Sequence, residues 1–357
     1  MTIRLLIVDD SALMRRQLSQ LFESQGAFSI RTARNGREAV EENLAFEPDV
    51  ITLDINMPEM DGLTALANIM ASRAVPVLMV SSLTEKGAIA TLEAMAMGAF
   101  DYVPKPGGTI SLTLDQVRDE LLGKVRAAAR TRRTAARFRD TPTPRSSACA
   151  PVARPGPSRA RRSGPVAPQG VVVIGVSTGG PRALDHLLSG LPADFPLPVL
   201  VAQHMPASFT GPLAARLDRG CALEVVEVQR PMAIEAGKVY IARGGADMTV
   251  SRRAGRPYAL PVPEASEHHW HPSVELLGRS VLKCYEPHDV IAVMLTGMGQ
   301  DGADAFAEIH RQGGRTIAES AASAIVFGMP AELIARGGAS EVLDLDGIAE
   351  QLICWVH

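Results

Sequence analysis

Cysteines, aromatic residues and long apolar runs are all scarce in this sequence, and each scarcity excludes a class of protein. The 357 residues contain four cysteines, Cys149, Cys221, Cys284 and Cys354, with no C-x-x-C spacing. Cysteines scattered in this way argue against a zinc site and against a disulfide framework. No stretch approaches the roughly 20 apolar residues of a membrane span, and the apolar run that ends before Asp9 is too short for a signal peptide. We therefore expect a cytoplasmic protein with reduced thiols and no membrane insertion.

The net charge is also small. Lys and Arg total 36 against 39 Asp and Glu, a formal charge of −3, so no nucleic-acid partner is expected for the whole chain. Aromatic residues make up 4% of the chain and hydrophobic residues 46%, so the cores must be mainly aliphatic. The length exceeds one ordinary core and fits two domains.

The chain divides into three parts that differ in composition and in the pattern of apolar residues. Residues 1–122 and residues 169–357 each alternate apolar, strand-like runs with amphipathic stretches. This alternation predicts two α/β domains with doubly wound parallel sheets. Residues 123–168 are rich in Arg, Pro, Ala and Ser and have almost no large apolar residues, which predicts a flexible interdomain linker. The basic residues there leave a contact with an acidic partner or a nucleic acid as the less favoured alternative.

Acidic residues end two of the strand-like runs in the first domain. Asp9 and Asp10 close the first run, and Asp54 follows the run that begins at Val50. The carboxyl ends of parallel strands form the ligand crevice of an open sheet. Carboxylates grouped there repel one another unless a cation lies between them, and oxygen ligands of this kind suit Mg²⁺. A carboxylate beside such an ion can accept a phosphoryl group.

A hydroxyl and an ammonium group follow the next two runs. Ser81 ends one run and Lys105 follows the other, and both can respond to a new phosphoryl charge. Taken singly, each acid could merely cap a helix or a turn. Chemistry-bearing side chains at four successive strand ends favour a phosphorylation site instead.

Residues 3–106 resemble a response-regulator receiver domain, with the acceptor region LDINMPEMDG at 53–62. The resemblance implies a flavodoxin-like fold, with Asp54 phosphorylated by a histidine kinase. It also implies that Asp9, Asp10, Asp54 and the backbone carbonyl of Asn56 bind Mg²⁺. The implied switch residues are Ser81, Tyr102 and Lys105.

A glycine-rich turn opens the second domain. Gly175, Ser177 and Gly179 follow a strand-like run and match G-x-S-x-G, the pattern of a nucleophile on a sharp strand-to-helix turn. Glycines permit tight backbone geometry, and nearby helix N–H groups can stabilise an oxyanion. A dinucleotide phosphate loop has similar glycines but places an acid at the end of the second strand, where this sequence has His204. A nucleotide site and a purely structural turn stay as weaker alternatives.

His204 is the candidate base for Ser177, and Asp301 is the candidate acid that orients it. Asp301 follows the apolar run 290–295 and another glycine-rich turn, although an Asp at such a turn is often only a helix N-cap. The order Ser177, His204, Asp301 differs from the Ser, Asp, His order of α/β-hydrolases. We therefore expect a fold other than that of the α/β-hydrolases.

Three further histidines surround one tryptophan. They are His268, His269 and His271 around Trp270. Their spacing leaves a metal site open, but no fourth ligand presents itself in this polar segment.

Five motifs in the second domain closely resemble the catalytic domain of the chemotaxis methylesterase family (CheB). They lie at 175–180, 203–206, 271–275, 295–303 and 326–330. The resemblance implies a Rossmann-like serine hydrolase, without a cofactor in this domain, that removes methyl esters from glutamates of methyl-accepting chemotaxis receptors. The family often also deamidates receptor glutamines.

By the same resemblance Ser177 is the nucleophile, His204 the base and Asp301 the orienting acid, and Thr178 and Met298 shape the site. The alternative from another class is a non-catalytic response regulator whose C-terminal domain binds a partner protein. A complete Ser, His and Asp set argues against it, because a binding module needs none of the three.

Overall fold

The structure is a computed structural model that describes residues 2–105, 118–131 and 169–356. The chain divides into two compact units, Met1–Val152 and Ala153–His357. In the described parts, no helix combines the length and the apolar character that a membrane span requires.

The first unit contains one parallel sheet with the strand order β2-β1-β3-β4-β5. Its elements are β1 (Ile3–Val8), α1 (Ala12–Glu23), β2 (Phe28–Ala33), α2 (Gly36–Ala45), β3 (Val50–Asp54), α3 (Gly62–Ser72), β4 (Val77–Ser81), α4 (Glu85–Ala96), β5 (Asp101–Pro104) and α5 (118–131). This is the flavodoxin-like order, in which the ligand crevice lies at the carboxyl ends of β1 and β3. The predicted fold of the first domain is confirmed.

The burial of each strand explains whether the strand could be predicted from the sequence. All residues of β3 and β4 are buried, so both strands are continuous apolar runs, as expected for a sheet covered on both faces. In the edge strand β2 only Ala33 is fully buried, and its polar residues interrupt any apolar run.

The helix α5 belongs to the first unit. Leu121, Leu122 and Val125 are buried, and the predicted domain limit at residue 122 falls inside this helix. Most of the predicted linker, 132–168, lies outside the described residues, so the domain limits and the flexibility of the linker stay predictions.

The second unit contains a seven-stranded parallel sheet with the order β15-β14-β13-β6-β7-β10-β8 and a three-stranded antiparallel sheet β11-β12-β9. Its strands are β6 (Val171–Val176), β7 (Val199–Gln203), β8 (Glu224–Val228), β9 (Met232–Ala233), β10 (Lys238–Ala242), β11 (Asp247–Arg253), β12 (Arg256–Val262), β13 (Val290–Met294), β14 (Arg315–Glu319) and β15 (Glu341–Leu343). Its helices are α6 (Gly180–Ser189), α7 (Ala207–Gly220), α8 (Val274–Leu282), α9 (Ala303–Arg311), α10 (Met329–Ala335) and α11 (Leu345–Val356), with a 3₁₀ turn at Pro287–Asp289.

The strand order places a functional crevice in the second unit. The chain continues from β6 to β7 on one side, whereas β13 pairs with β6 on the other side. Ligands of open α/β sheets bind at such a switch point, outside the carboxyl ends of the strands. The parallel α/β architecture agrees with the prediction for this domain.

The small antiparallel sheet adds a feature that alternation alone did not indicate. β11 and β12 are joined at Ala254 and Gly255, which both have positive φ angles (47° and 78°), as a two-residue hairpin with a type I′ turn requires. β11 begins at Asp247 and packs against α8. This contact brings Asp247 close to the start of α8, next to the crevice.

Candidate active site and phospho-acceptor site

Three carboxylates meet at the carboxyl edge of the first sheet. One oxygen from each of Asp9, Asp10 and Asp54 lies within 4.8 Å of the others, and Asp9 and Asp54 are buried. Lys105 Nζ lies 2.7 Å from Asp54 Oδ2 and 3.0 Å from Asp9 Oδ2. The structure therefore brings together the acids and the lysine that the sequence placed at strand ends.

The charges in this cluster do not balance. Burial raises the pKa of Asp54 and the charge of Asp9 adds to the rise, while the hydrogen bond and charge of Lys105 oppose it. Burial alone would lower the pKa of Lys105, but the hydrogen bond and charge of Asp54, with Asp9, hold it above its ordinary value. Three ionised carboxylates and one ammonium leave a net charge of −2. The cluster therefore fits a divalent cation with oxygen ligands.

The other predicted switch residues lie on neighbouring elements. Ser81 is buried, and its hydroxyl lies within hydrogen-bonding distance of the carbonyl of Gly87 (3.2 Å). Tyr102 is buried in β5 next to β4. The backbone N–H of Asn56, an exposed residue, lies 3.4 Å from Asp54 Oδ1.

In the second unit, Ser177 follows β6 on a sharp turn into α6. Its N–H donates to the carbonyl of Thr296 (3.0 Å), and its own carbonyl accepts from Gln203 Nε2 (3.0 Å). Gly179 has a φ of +78°, and a Cβ there would lie 2.7 Å from Ile325. The G-x-S-x-G spacing thus has a steric reason, and Ser177 itself stays partly exposed.

His204 lies beside this turn. Its backbone N–H donates to the carbonyl of Val176 (3.1 Å). The side-chain amide of Gln203 donates to the backbone carbonyls of both Ser177 and His204 (3.0 Å each). His204 Nε2 lies 2.8 Å from Asp301 Oδ2. The other ring nitrogen, Nδ1, is buried and has no hydrogen-bond partner among the described residues.

Asp301 receives hydrogen bonds from every side. Its donors are His204 Nε2, Val274 N (2.7 Å), Glu275 N (3.1 Å) and Ser273 Oγ (3.1 Å). Burial alone would raise the pKa of Asp301, but the hydrogen bond and charge of His204 and the two N–H groups hold it below its ordinary value. The N-cap of α9 is Gly302, so Asp301 does not cap the helix that follows it; it binds the N-terminus of α8 instead.

The two residues expected to shape the site flank Ser177. Thr178 is its chain neighbour, and Met298 follows Gly297, where an added Cβ would lie 2.9 Å from Ser177 Cβ. Within the described residues, neither the N–H of Thr178 nor that of Met298 has a hydrogen-bond partner. Both N–H groups are therefore available to a bound oxygen.

Two residues that connect the loop of Ser177 and Thr178 to the loop of Met298 were not predicted from the sequence. Thr296 Oγ1 donates to the carbonyl of Thr178 (2.9 Å) and accepts from Val326 N (2.9 Å), and Thr296 N donates to Glu319 Oε2 (2.7 Å). Glu319 is buried, which raises its pKa. It ends β14, whose sequence RTIAE has only two apolar residues before the acid, so no apolar run marked Glu319 as a strand-end acid.

The segment with the three histidines contacts this site through ring stacking and a hydrogen bond. Trp270 stacks on His204, with ring centroids 6.0 Å apart and planes inclined by 8°, and His269 meets the indole edge-on at 5.5 Å. His271 Nδ1 bonds to Asp247 (3.0 Å). Among the described residues, the group spaced to share a metal ion is Asp9, Asp10 and Asp54, and no group includes these histidines.

Comparison with known proteins places both units in known families. The description "CheB methylesterase" matches residues 172–352, and "Response regulator receiver domain" matches residues 5–114. A Rhodospirillum rubrum protein named protein-glutamate methylesterase/protein-glutamine glutaminase 3 is 51% identical over 355 residues, covering 99% of this chain and 96% of that protein. A protein-glutamate methylesterase/protein-glutamine glutaminase 2 from Rhodopseudomonas palustris is 52% identical over 362 residues, covering 99% of this chain and 98% of that protein.

One solved structure resembles the second unit. The crystal structure of the Thermotoga maritima CheB methylesterase catalytic domain is 38% identical, with a TM-score of 0.51, and the match covers 52% of this chain and 98% of that one. The fold of the second unit therefore also occurs in the catalytic domain of a CheB methylesterase.

Proposed function

The chain belongs to the CheB methylesterase family, and from this premise we propose that it hydrolyses glutamate methyl esters on chemoreceptors under control of phosphorylation, and also deamidates receptor glutamines. The names of the relatives cover both reactions. One observation carries the proposal for this chain: His204, next to the Ser177 turn, bonds to the buried Asp301 at 2.8 Å, while its second ring nitrogen has no hydrogen-bond partner in the described part of the chain.

Acylation begins when Ser177 Oγ attacks the ester carbonyl and His204 Nδ1 accepts its proton. The charge of Asp301 stabilises the resulting imidazolium. The N–H groups of Thr178 and Met298 donate to the oxygen that becomes negative in the tetrahedral intermediate, where one such donor contributes about 3–4 kcal/mol. His204 then returns the proton to the methoxy oxygen, and methanol leaves.

Deacylation reverses the roles. A water molecule loses a proton to His204 and attacks the acyl-enzyme, and Ser177 leaves with the proton, which regenerates the glutamate carboxylate. A glutamine side chain follows the same steps with ammonia as the first leaving group. Both activities therefore depend on the same three side chains.

The acid cluster of the first unit provides the control. A histidine kinase donates a phosphoryl group to Asp54. Asp9, Asp10, Asp54 and the carbonyl of Asn56 would hold a Mg²⁺ ion, whose charge would neutralise the phosphoryl oxygens. Ser81 and Lys105 respond to the new charge, with Tyr102 as the further switch residue. Phosphorylation then raises the rate of hydrolysis in the second unit.

The test measures methanol released from methylated receptor membranes, with and without a small phosphodonor. Wild type should release methanol faster with the phosphodonor, Ser177→Ala should release none, and Asp54→Asn should lose the acceleration only. Ser189→Ala is the matched control, since Ser189 is an exposed serine at the end of α6, and should behave as wild type. Equal release by wild type and Ser177→Ala would refute the serine mechanism, and no release from cognate receptors would favour a partner-binding domain.

A further inference from the structure

Trp270 lies nearly parallel to the ring of His204, the proposed base. Its indole stacks on the His204 ring at 6.0 Å. A Cβ added to Gly299, whose φ is +94°, would lie 2.9 Å from an indole carbon. The indole is therefore close both to His204 and to Gly299, which follows Met298 in the chain.

A single buried carboxylate holds the segment that carries this tryptophan. We call residues 265–273 the Trp270 loop. Asp247 accepts from the N–H of Ala265 (2.9 Å) at the start of the loop and from that of Ser273 (2.7 Å) at its end. It also bonds to His271 Nδ1 (3.0 Å). Because Asp247 binds both ends of the loop, it limits where the indole can lie.

The stacking affects the two protonation states of His204 differently. An indole face attracts a cation that lies over it, by about 1 kcal/mol in exposed sites and about 2 kcal/mol where water is excluded. As the base, His204 gains a positive charge when it takes the Ser177 proton. An attraction that exists only in the charged state speeds the chemical step and leaves substrate binding unchanged.

Several other charged or ionisable groups lie near His204 and Trp270, and a test of this attraction has to take them into account. Asp301 bonds directly to the ring, and its carboxylate is itself held by Ser273 and the N-terminus of α8. His269 touches the indole edge-on, and His271 is paired with Asp247. The experiment must therefore separate the effect of His204 from the effects of these two histidines.

We propose that Trp270 stabilises the protonated form of His204 during hydrolysis, and that Asp247 is the positioning residue that keeps Trp270 over the ring. The proposal rests on the proposed function in one respect, namely that His204 is the base. Its first test needs no substrate, so its failure is distinguishable from a failure of the proposed function.

The first test uses Trp270 as a reporter. The chain has two tryptophans, so Trp355→Phe leaves Trp270 as the single indole. A protonated imidazole in contact with an indole quenches its fluorescence, and emission should fall as the pH is lowered and His204 takes up a proton. This fall should persist in His269→Gln and disappear in His204→Gln and Asp247→Asn. A fall that survives His204→Gln, or one that His269→Gln abolishes, overturns the proposal.

The second test is kinetic and covers the case in which Asp247→Asn does not fold. Trp270→Leu should lower kcat for methanol release by about 5- to 30-fold, which corresponds to about 1–2 kcal/mol, with KM nearly unchanged. Trp270→Phe should recover part of kcat, because a phenyl face also attracts cations. A higher KM at unchanged kcat would make Trp270 only a wall of the binding site, and equal kcat for Phe and Leu would exclude the proposed attraction.

Discussion

Replacing Asp301 by Asn puts an NH₂ group where every neighbour of the carboxylate is a donor. Turned toward His204, the NH₂ would meet the Val274 N–H as well, since both donate to Oδ2. Turned the other way, it meets the Ser273 hydroxyl, which can accept, and only the Glu275 N–H loses its acceptor. We therefore expect the second orientation. A buried N–H without an acceptor costs about 1–3 kcal/mol, and the free energy of unfolding should fall by that amount.

The same orientation sets the effect on catalysis. The amide oxygen still accepts from His204 Nε2, so Nδ1 keeps its free lone pair for the Ser177 proton. What is lost is the negative charge beside the imidazolium. A hydrogen bond to a charged group contributes about 1.5–3 kcal/mol, so kcat should fall by about 10- to 150-fold. A fall near 10⁴-fold, the effect of a wrong histidine tautomer in a serine triad, would refute the orientation argued from Ser273.

The pH dependence of the stability loss follows from the lowered pKa of Asp301. A carboxyl whose pKa is lower in the folded state contributes stability above its unfolded pKa, about 3.9, and loses it as the pH falls through the folded value. The difference between wild type and Asp301→Asn should therefore be complete at neutral pH and shrink below about pH 4. A difference that grows on acidification would contradict this reasoning.

The positions of the two tryptophans allow unfolding of the second unit to be measured separately. Trp270 and Trp355 lie in the second unit, so urea unfolding followed by indole fluorescence reports on that unit. Asp304→Asn is the matched control, because Asp304 is exposed and pairs with Arg336 at 2.6 Å. An exposed pair contributes about 0–1 kcal/mol, and this variant should keep wild-type kcat.

Two predictions concern other buried groups. Lys124→Met leaves Asp101 buried without the ammonium 3.0 Å away, which should cost about 3–5 kcal/mol of stability. Burial already raises the pKa of Asp101, so this loss should shrink as the pH falls and Asp101 becomes protonated; thermal unfolding at several pH values measures it, and a loss independent of pH would count against the buried pair. Burial also raises the pKa of Cys221 to about 12, so a thiol reagent at about pH 8 should modify the exposed Cys354 much faster than Cys221. Peptide mapping by mass spectrometry measures both rates, and equal rates would refute the expected protection of Cys221.

The positions of the candidate site residues were predictable because parallel sheets couple sequence to location. A strand covered on both faces is a continuous apolar run, and all carboxyl ends lie at one edge of the sheet. Asp54 follows β3 residues that are all buried, and Ser177 follows β6, which is also fully buried. The acids of the first unit and the serine and histidine of the second could therefore be grouped from sequence.

The Trp270 loop was not predictable in the same way. Asp247 and Ser273 are 26 residues apart, and no periodic pattern connects them. The strands β11 and β12 that place Asp247 form an antiparallel sheet outside the α/β alternation. The histidines around Trp270 could be grouped from sequence, but only the structure separates His271, which pairs with Asp247, from His269, which contacts the indole.

The segment 271–275 matches a family motif, but the motif alone did not predict its contacts. Ser273 donates its N–H to Asp247 and its hydroxyl to Asp301. Val274 and Glu275 add two N–H groups to Asp301 from the first turn of α8, where N–H groups without helical partners favour a negative charge. One short segment thus keeps Asp301 ionised and also closes the Trp270 loop. A substitution at Ser273 should therefore disturb both sides of the His204 ring, which separate substitutions of Asp301 and Trp270 would disturb one at a time.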